Sequence, residues 1–339
     1  MFVFTSSSTQ GQSANAPASQ SVKRPRKTSE KGDQSKFTKF AIAGGTGILG
    51  RALVRAFALR NFSVLVLTRR GREANFSFTA YDSMSVVEVP SYRNVSFLSR
   101  VLKGREVVIN VLGNPETTEE IQLALAQASF QAGVELFVPN DFGIDFDHVR
   151  REDALHLHPF QHAKYVFHHT LASLGLPHLS ICTGAFPRGL PLAALSIDWK
   201  EKRVTILGTG AETDKDVAVT SESDVARFMA DAFTTLPRQK LRCTTLRVVG
   251  CRMSLHEIFS QARFIVDVEL DCIPTARVAE SKIDGVATLD SFKAWWALAA
   301  VMGALDIPER DNDRVGLTPT TVYMSNPIRW LFEEAEKHQ

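Results

Sequence analysis

Residues 39–50, Lys-Phe-Ala-Ile-Ala-Gly-Gly-Thr-Gly-Ile-Leu-Gly, read as a short buried strand that runs into a glycine turn and then a helix. The apolar run Phe40-Ala41-Ile42-Ala43 is strand-like, and Gly45, Gly47 and Gly50 have G-x-G-x-x-G spacing. That spacing lets the chain turn tightly, approach a pyrophosphate closely and pack the helix against the sheet. The free N–H groups that open such a helix face an anion. The helix signal follows at once: Leu49, Leu53, Val54, Phe57 and Ala58 share one face, and Asn61 stands at its end.

Residues 63–67 form the next strand pattern. A Rossmann unit that binds NAD places Asp or Glu just after this strand to hold the ribose 2′-OH. Here the chain has Thr68-Arg69-Arg70, and guanidinium groups recognise a 2′-phosphate through bidentate, charge-assisted hydrogen bonds. The expected cofactor is therefore NADP(H), with Gly44, Gly45, Thr46, Gly47, Ile48, Leu49 and Gly50 at the turn and Arg69 and Arg70 at the 2′-phosphate.

Further along, residues 71–83 read as a loop and 85–89 as a third strand. A short helix over 94–102 closes at Gly104, and 106–111 make a fourth strand. Thr117 or Thr118 can cap a helix that Glu119 and Glu120 favour and that runs to Gly133. The fifth strand, 134–138, leads into Pro139-Asn140-Asp141-Phe142-Gly143. Strands alternating with helices of this length make a doubly wound parallel sheet, with ligands outside the carboxyl ends of its strands. The glycine turn, Thr68–Arg70, Gly113-Asn114 and 139–143 all follow strands, so all are expected along one edge. Gly113, Asn114, Pro139, Asn140 and Phe142 are thereby expected at the cofactor.

A helix over 159–174, with Pro at its first turn and Gly175 as its stop, carries Lys164. A sixth strand over 177–183 follows. The stretch Thr183-Gly184-Ala185-Phe186, the hairpin-like residues 203–210, a helix over 223–233, a strand over 246–249 and a helix opened by Ser254 suggest a lobe on the same sheet. Trp295, Trp296 and Met302 fall on a late helix that could cap a substrate pocket or fill core, and core is the favoured reading. The expected fold class is α/β, a Rossmann-type doubly wound parallel sheet with a smaller C-terminal substrate lobe. Its divisions are a basic, Ser-rich, disordered tail at 1–36, the NADP-binding domain at 37–184, and a mainly substrate-binding part at 185–339 with segments returning to the sheet.

The net charge of +2 conceals a division. Residues 1–36 carry six basic and two acidic side chains, whereas the remainder carries 33 basic and 35 acidic. A nearly neutral body argues against direct nucleic-acid binding, which needs a basic face to displace counterions. The four cysteines form no C-x-x-C pair, so reduced, buried thiols are expected. No apolar run reaches the length of a membrane span, and Phe2-Val3-Phe4 is too short for a secretory h-region. A cytoplasmic location is the expectation, with nuclear entry through Lys23-Arg24-Pro25-Arg26-Lys27 as the alternative.

Taken in order, these motifs resemble the isoflavone reductase-like and NmrA-like branch of the atypical short-chain dehydrogenases. Gly44–Gly50 resembles that branch's GxTGxxG turn, Thr68-Arg69 its arginine after the second strand, and 139–143 its PSxFG turn. Lys164 resembles the lysine of its active-site helix, and Gly175-Leu176-Pro177, Gly184-Ala185-Phe186 and Ser223-Asp224-Val225-Ala226 are similar to further landmarks. Asn140 replaces the usual Ser of the turn. Phe160 stands where ordinary short-chain dehydrogenases carry the Tyr of YxxxK, which removes a phenol as proton donor but fits this branch, thought to use the Lys itself.

The resemblance implies an NADPH-dependent reductase acting on an aromatic or conjugated secondary-metabolite substrate. Lys164 is then the electrostatic or acid–base residue, with Gly143, Phe160, His168 and Phe186 lining the substrate pocket. A possible homodimer belongs to the same expectation. The rival is a redox sensor that binds NADP(H), performs no chemistry and controls a transcription-factor partner; a third reading is a non-redox isomerase. Seven histidines between His148 and His178 invite a metal, but no carboxylate completes a zinc-like set beside His158 and His162, so none is expected. No G-x-S-x-G elbow supports a serine hydrolase.

Overall fold

The computed structural model describes residues 36–69, 83–113, 118–148, 158–187, 194–198, 201, 203–209, 214–254, 256–258, 260, 269–273 and 289–319. The chain divides after residue 34, and the architecture that follows is that of residues 35–339. Strand β1 (Lys39–Ala43) leads through the glycine turn into α1 (Ile48–Ala58). It is followed by β2 (Ser63–Arg69), β3 (Met84–Val89), α2 (Val95–Val101), β4 (Val107–Asn110), α3 (Thr118–Ala132) and β5 (Leu136–Val138). Then come α4 (Pro159–Ser173) and β6 (Leu179–Cys182).

The first five strands pair in parallel in the order β3-β2-β1-β4-β5. Strand β6 joins beside β5 through a parallel bridge from Phe137 to His178. The period of two sorts the side chains onto opposite faces. Phe40, Ile42, Val64 and Val66 enter one core with Leu53, Val54 and Phe57 of α1. Ala41, Ala43, Leu65 and Leu67 enter another, with Leu98 of α2, Leu125 and Ala128 of α3 and Phe167 and Leu171 of α4. Both faces are covered, which is why these strands are nearly continuous apolar runs.

The chain beyond β6 does two things. Strands β7 (Ala194–Asp198) and β8 (Arg203–Leu207) pair antiparallel, and β9 (Asp216–Val219) precedes α5 (Glu222–Thr235). Helix α5 packs on α1, placing Phe233 4.9 Å from Phe40 and 5.9 Å from Phe57. Strand β10 (Thr244–Arg247) then pairs with β6 in parallel. Strands β11 (Cys251–Ser254) and β12 (Glu269–Ile273) pair with β9 and β8, and α6 (Leu289–Val301) closes a separate core. That core holds Ile144, Phe146, Val204, Ile206, Val217, Trp295 and Trp296. Because Ile144 and Phe146 follow β5, it lies past the carboxyl end of the sheet.

Several details differ from expectation. Within the expected hairpin stretch, residues 203–207 are a single strand whose partner is the upstream strand β7, whose alternation gave no distinct signal, and residue 210 lies outside the described residues. Helix α5 starts at Glu222 rather than Ser223 and is capped by Ser221, its Oγ accepting from the Asp224 N–H at 3.1 Å. Met302 is 70% exposed, past the end of α6, while Trp295 and Trp296 are buried as expected. Of the cysteines only Cys182 is buried; Cys243 and Cys272 are exposed. Asn61 stops α1 with φ 57°, a left-handed conformation that Asn tolerates.

Candidate functional site

The turn after β1 is built by glycines at van der Waals limits. Gly44 has φ +88°, and a Cβ there would lie 2.7 Å from the Val111 carbonyl oxygen, so this residue also fixes the approach of β4's end. A Cβ at Gly50 would meet the Gly44 oxygen at 2.2 Å, and one at Gly45 the Val66 side chain at 2.7 Å. Gly47, by contrast, is exposed, its nearest such contact being the Gly44 oxygen at 3.3 Å. It caps α1 with no side-chain hydrogen bond, and the first turn holds no acidic residue. The helix therefore presents its opening N–H groups and positive dipole end unopposed, the local chemistry that an oligophosphate requires. Thr46, Ile48 and Leu49 lie in the same turn, and Arg51 Nε braces it by donating to the Thr46 carbonyl at 3.0 Å.

Two other loops are tied to this one. Arg69 ends β2 as an exposed residue, while Arg70 lies outside the described residues. Gly113 is exposed after β4, and Asn114 lies outside the described residues. In the turn after β5, Asn140 Nδ2 donates to the Leu112 carbonyl at 2.8 Å, and its N–H donates to Gln122 Oε1, also at 2.8 Å. Gln122 Oε1 accepts from Asn110 Nδ2 as well, at 3.0 Å. The amide at position 140 thus laces the β4 and β5 loops together, a role the shorter Ser side chain could not fill in the same way. Pro139 and Gly143 are buried and Phe142 half-buried; the Gly143 carbonyl accepts from Thr183 N (3.2 Å) and Gly184 N (3.0 Å), joining the loop after β6. Phe186 of that loop packs with Phe142 against the main core.

Helix α4 adds Phe160, Lys164 and His168 at successive turns of one face. His158 caps the helix, and its ring lies 4.9 Å from that of Phe160 and 6.3 Å from Trp295. Phe160 therefore sits toward the Trp295 core. Lys164 is half-buried; burial lowers its pKa, partly opposed by the Asp141 carboxylate. His168 Nε2 lies 2.5 Å from Asp141 Oδ2. Burial pulls the His168 pKa down, but the hydrogen bond and charge of Asp141 outweigh it and the net direction is up.

Ser180 Oγ donates to the same Asp141 oxygen at 3.2 Å and lies 3.4 Å from the same His168 nitrogen. A hydrolytic triad uses opposite nitrogens of the ring for Ser and Asp. Here all three meet at one, so this cluster cannot relay a proton from Ser180. Among the described residues no group of His, Cys, Asp and Glu is arranged to hold a metal.

Three contributors escaped the sequence reading. Asp141 was flanked by every residue singled out in its turn, yet its burial to 1% exposure has no sequence signature. Gln122 sits on α3, where its periodicity reads as ordinary helix. Tyr92 donates its hydroxyl to the Leu67 carbonyl at 2.8 Å behind the glycine turn, and burial raises its pKa. An isolated Tyr between elements carries no pattern.

A parallel sheet of this strand order, with a glycine turn after its central strand, makes this a Rossmann-type α/β protein. A family model described as the NmrA-like family matches residues 36–264, well over half of the chain. The chain belongs to the NmrA-like family. It is similar to isoflavone reductase homolog P3 of Arabidopsis thaliana, 26% identical over 242 residues that span 65% of this chain and 72% of that protein. Among solved structures it resembles an isoflavone reductase (TM-score 0.69, 18% identity, 87% of this chain and 98% of that one). It also resembles AtPrR2 with NADP+ and (+)pinoresinol (TM-score 0.64, 20% identity, 87% of this chain and 98% of that one).

Proposed function

We propose that this chain is an NADPH-dependent reductase that transfers hydride to an aromatic or conjugated small molecule, with Lys164 as its acid–base and electrostatic residue. The observation that carries the reading is the half-buried Lys164, beside the buried Asp141 carboxylate, at the same sheet edge as an uncapped, glycine-built helix start. The names of the related proteins support the reaction class, and the NADP+ held by AtPrR2 supports the cofactor.

Gly44–Gly50 would hold the pyrophosphate, Arg69 with Arg70 the 2′-phosphate, and Gly113, Asn114 and 139–143 the nicotinamide half. When bound, NADPH supplies the hydride. As it reaches an electron-poor carbon, negative charge collects on the conjugated oxygen of the substrate. The Lys164 ammonium stabilises that charge where water is excluded, and its N–H bond can break to give the oxygen a proton, leaving a neutral amine. A pKa lowered by burial makes that transfer easier. Phe160, Gly143 and Phe186 offer apolar walls, and the core past the sheet edge forms the substrate lobe.

Calorimetric titration with NADPH, NADP+, NADH and NAD+, followed by addition of conjugated aromatic ketones to the NADPH complex, tests this. Tight NADPH binding with oxidation is expected. Tight binding without oxidation across a broad panel would favour a sensor, and absence of dinucleotide binding would overturn the reading. Lys164→Ala should abolish turnover while leaving NADPH affinity within about tenfold, or ~1.4 kcal/mol.

A further inference from the structure

The carboxylate of Asp141 is used on one side only. Its Oδ2 takes both available donors, His168 Nε2 at 2.5 Å and Ser180 Oγ at 3.2 Å. Its Oδ1 is buried and has no hydrogen-bond partner among the described residues. A buried acceptor is ordinarily paired, and the exceptions call for a functional account. Lys164 stands one helical turn before His168 on the same face of α4, and its ammonium interacts electrostatically with this carboxylate. Among the described residues no donor reaches Oδ1, and Lys164 brings three.

We infer that Asp141 is the positioning residue for Lys164: His168 and Ser180 fix one carboxylate oxygen so that the other, buried and unpaired, receives the lysine ammonium and aims it into the cleft. This rests on the reading of Lys164 as the acting group. The turn after β5 then does more than approach the cofactor; it carries the counter-charge of the active-site helix. The other groups facing the pair are His178, whose ring centroid is 5.2 Å from that of His168, and Asp147 of the short helix Phe146–His148, which acts on His168 by charge. The Phe146 ring meets that of His168 edge to face, with centroids 5.7 Å apart. On this inference Lys164 and protonated His168 compete for one carboxylate, and each should feel the loss of the other.

Titration by NMR tests the arrangement without nucleotide or substrate. Lysines carrying 13C-methyl groups are followed against pH, with Lys164 assigned by its absence in Lys164→Arg. In Asp141→Asn the Lys164 midpoint should fall by about one pH unit or more, because an opposite charge at close range is removed. The reciprocal measurement uses Lys164→Met, which retains Asp141: the His168 midpoint, read from its ring C–H signals, should rise because a competing cation is gone. The second variant serves if Asp141→Asn does not fold. An unchanged midpoint in either folded variant overturns the inference, since a carboxylate that merely holds α4 in place would move neither. Failure of NADPH oxidation by the native protein would defeat the reductase reading and leave these titrations standing. If both hold, Asp141→Asn should lower kcat at least tenfold with KM within about twofold.

Discussion

Arg69 ends β2 as an exposed residue at the carboxyl edge of the sheet, the position where an NAD-binding unit carries Asp or Glu. Replacing Arg69 and Arg70 together with Ala should weaken NADPH binding by about 1.5–3 kcal/mol, the range for hydrogen bonds to charged groups. NADH binding should change little, and calorimetry with both nucleotides decides: equal losses would remove the arginines from 2′-phosphate recognition. His168 makes a prediction of the opposite chemical kind. Despite burial, its pKa is raised by Asp141, so the folded state binds the proton more tightly than the unfolded chain does. The pair's contribution is therefore complete below the ordinary histidine pKa of about 6.5 and is lost as pH rises through the higher folded value. Urea unfolding of the native protein and His168→Gln should show a stability difference that shrinks across that window. A gap independent of pH would show that His168 contributes by packing alone.

At the scale of elements, the glycines of the turn separate into two kinds. Gly50→Ala must push a methyl to 2.2 Å from the Gly44 oxygen, backbone against backbone with no side chain to yield. It should cost on the order of 3 kcal/mol and perturb the whole β1–α1 unit. Gly47→Ala meets only one atom, at 3.3 Å, so the fold should survive. Gly47 is exposed in the turn that would approach the pyrophosphate, so the expected loss is in dinucleotide affinity; thermal unfolding and calorimetry on the two variants separate the effects. The elements of this half were legible because each signal is local: the 3.6-residue period of α1, Pro159 at the start of α4, and Gly133 and Gly175 as stops with φ +76° and +65°. Strands β7 and β12 were not legible, because their pairing with β8 is set by partners distant in sequence. Within the candidate site, Lys164 was singled out through its motif, whereas Asp141 was passed over because only tertiary packing makes its carboxylate buried and half-unpaired.

For the molecule as a whole, the sheet is closed by segments that return from far along the chain, and no periodicity announces where they return. Helix α5 supplies Phe233 to the ring cluster of Phe40 and Phe57, and β10 extends the sheet past β6. Between them Arg238 fastens the amino-terminal edge of the sheet. Its Nη2 donates to Glu106 Oε1 at 2.5 Å, its Nη1 to Glu135 at 3.2 Å and its Nε to the Lys36 carbonyl at 2.9 Å. Its guanidinium lies 4.4 Å from the centre of the Phe37 ring. Glu106 Oε2 in turn accepts from the Thr38 and Lys39 N–H groups at 2.8 and 3.0 Å, tying the start of β1 to the start of β4. Burial alone would raise the Glu106 pKa, but these backbone hydrogen bonds and Arg238 outweigh it and the net direction is down. A lowered carboxyl pKa means that the network contributes fully above the ordinary glutamate range and is lost as pH falls through the folded value. Both side chains of the Arg238–Glu106 pair are 17% exposed, so solvent screens them only partly. Arg238→Met, which keeps the apolar stem but removes every donor, should therefore cost about 2–3 kcal/mol near neutral pH. Its deficit against the native protein should narrow in acid, as Glu106 takes up its proton and the partner lost in the variant matters less. Urea unfolding of both proteins from neutral pH down through the carboxylate range measures that convergence, and a deficit that stays constant would place the contribution of Arg238 in its packing on Phe37 instead.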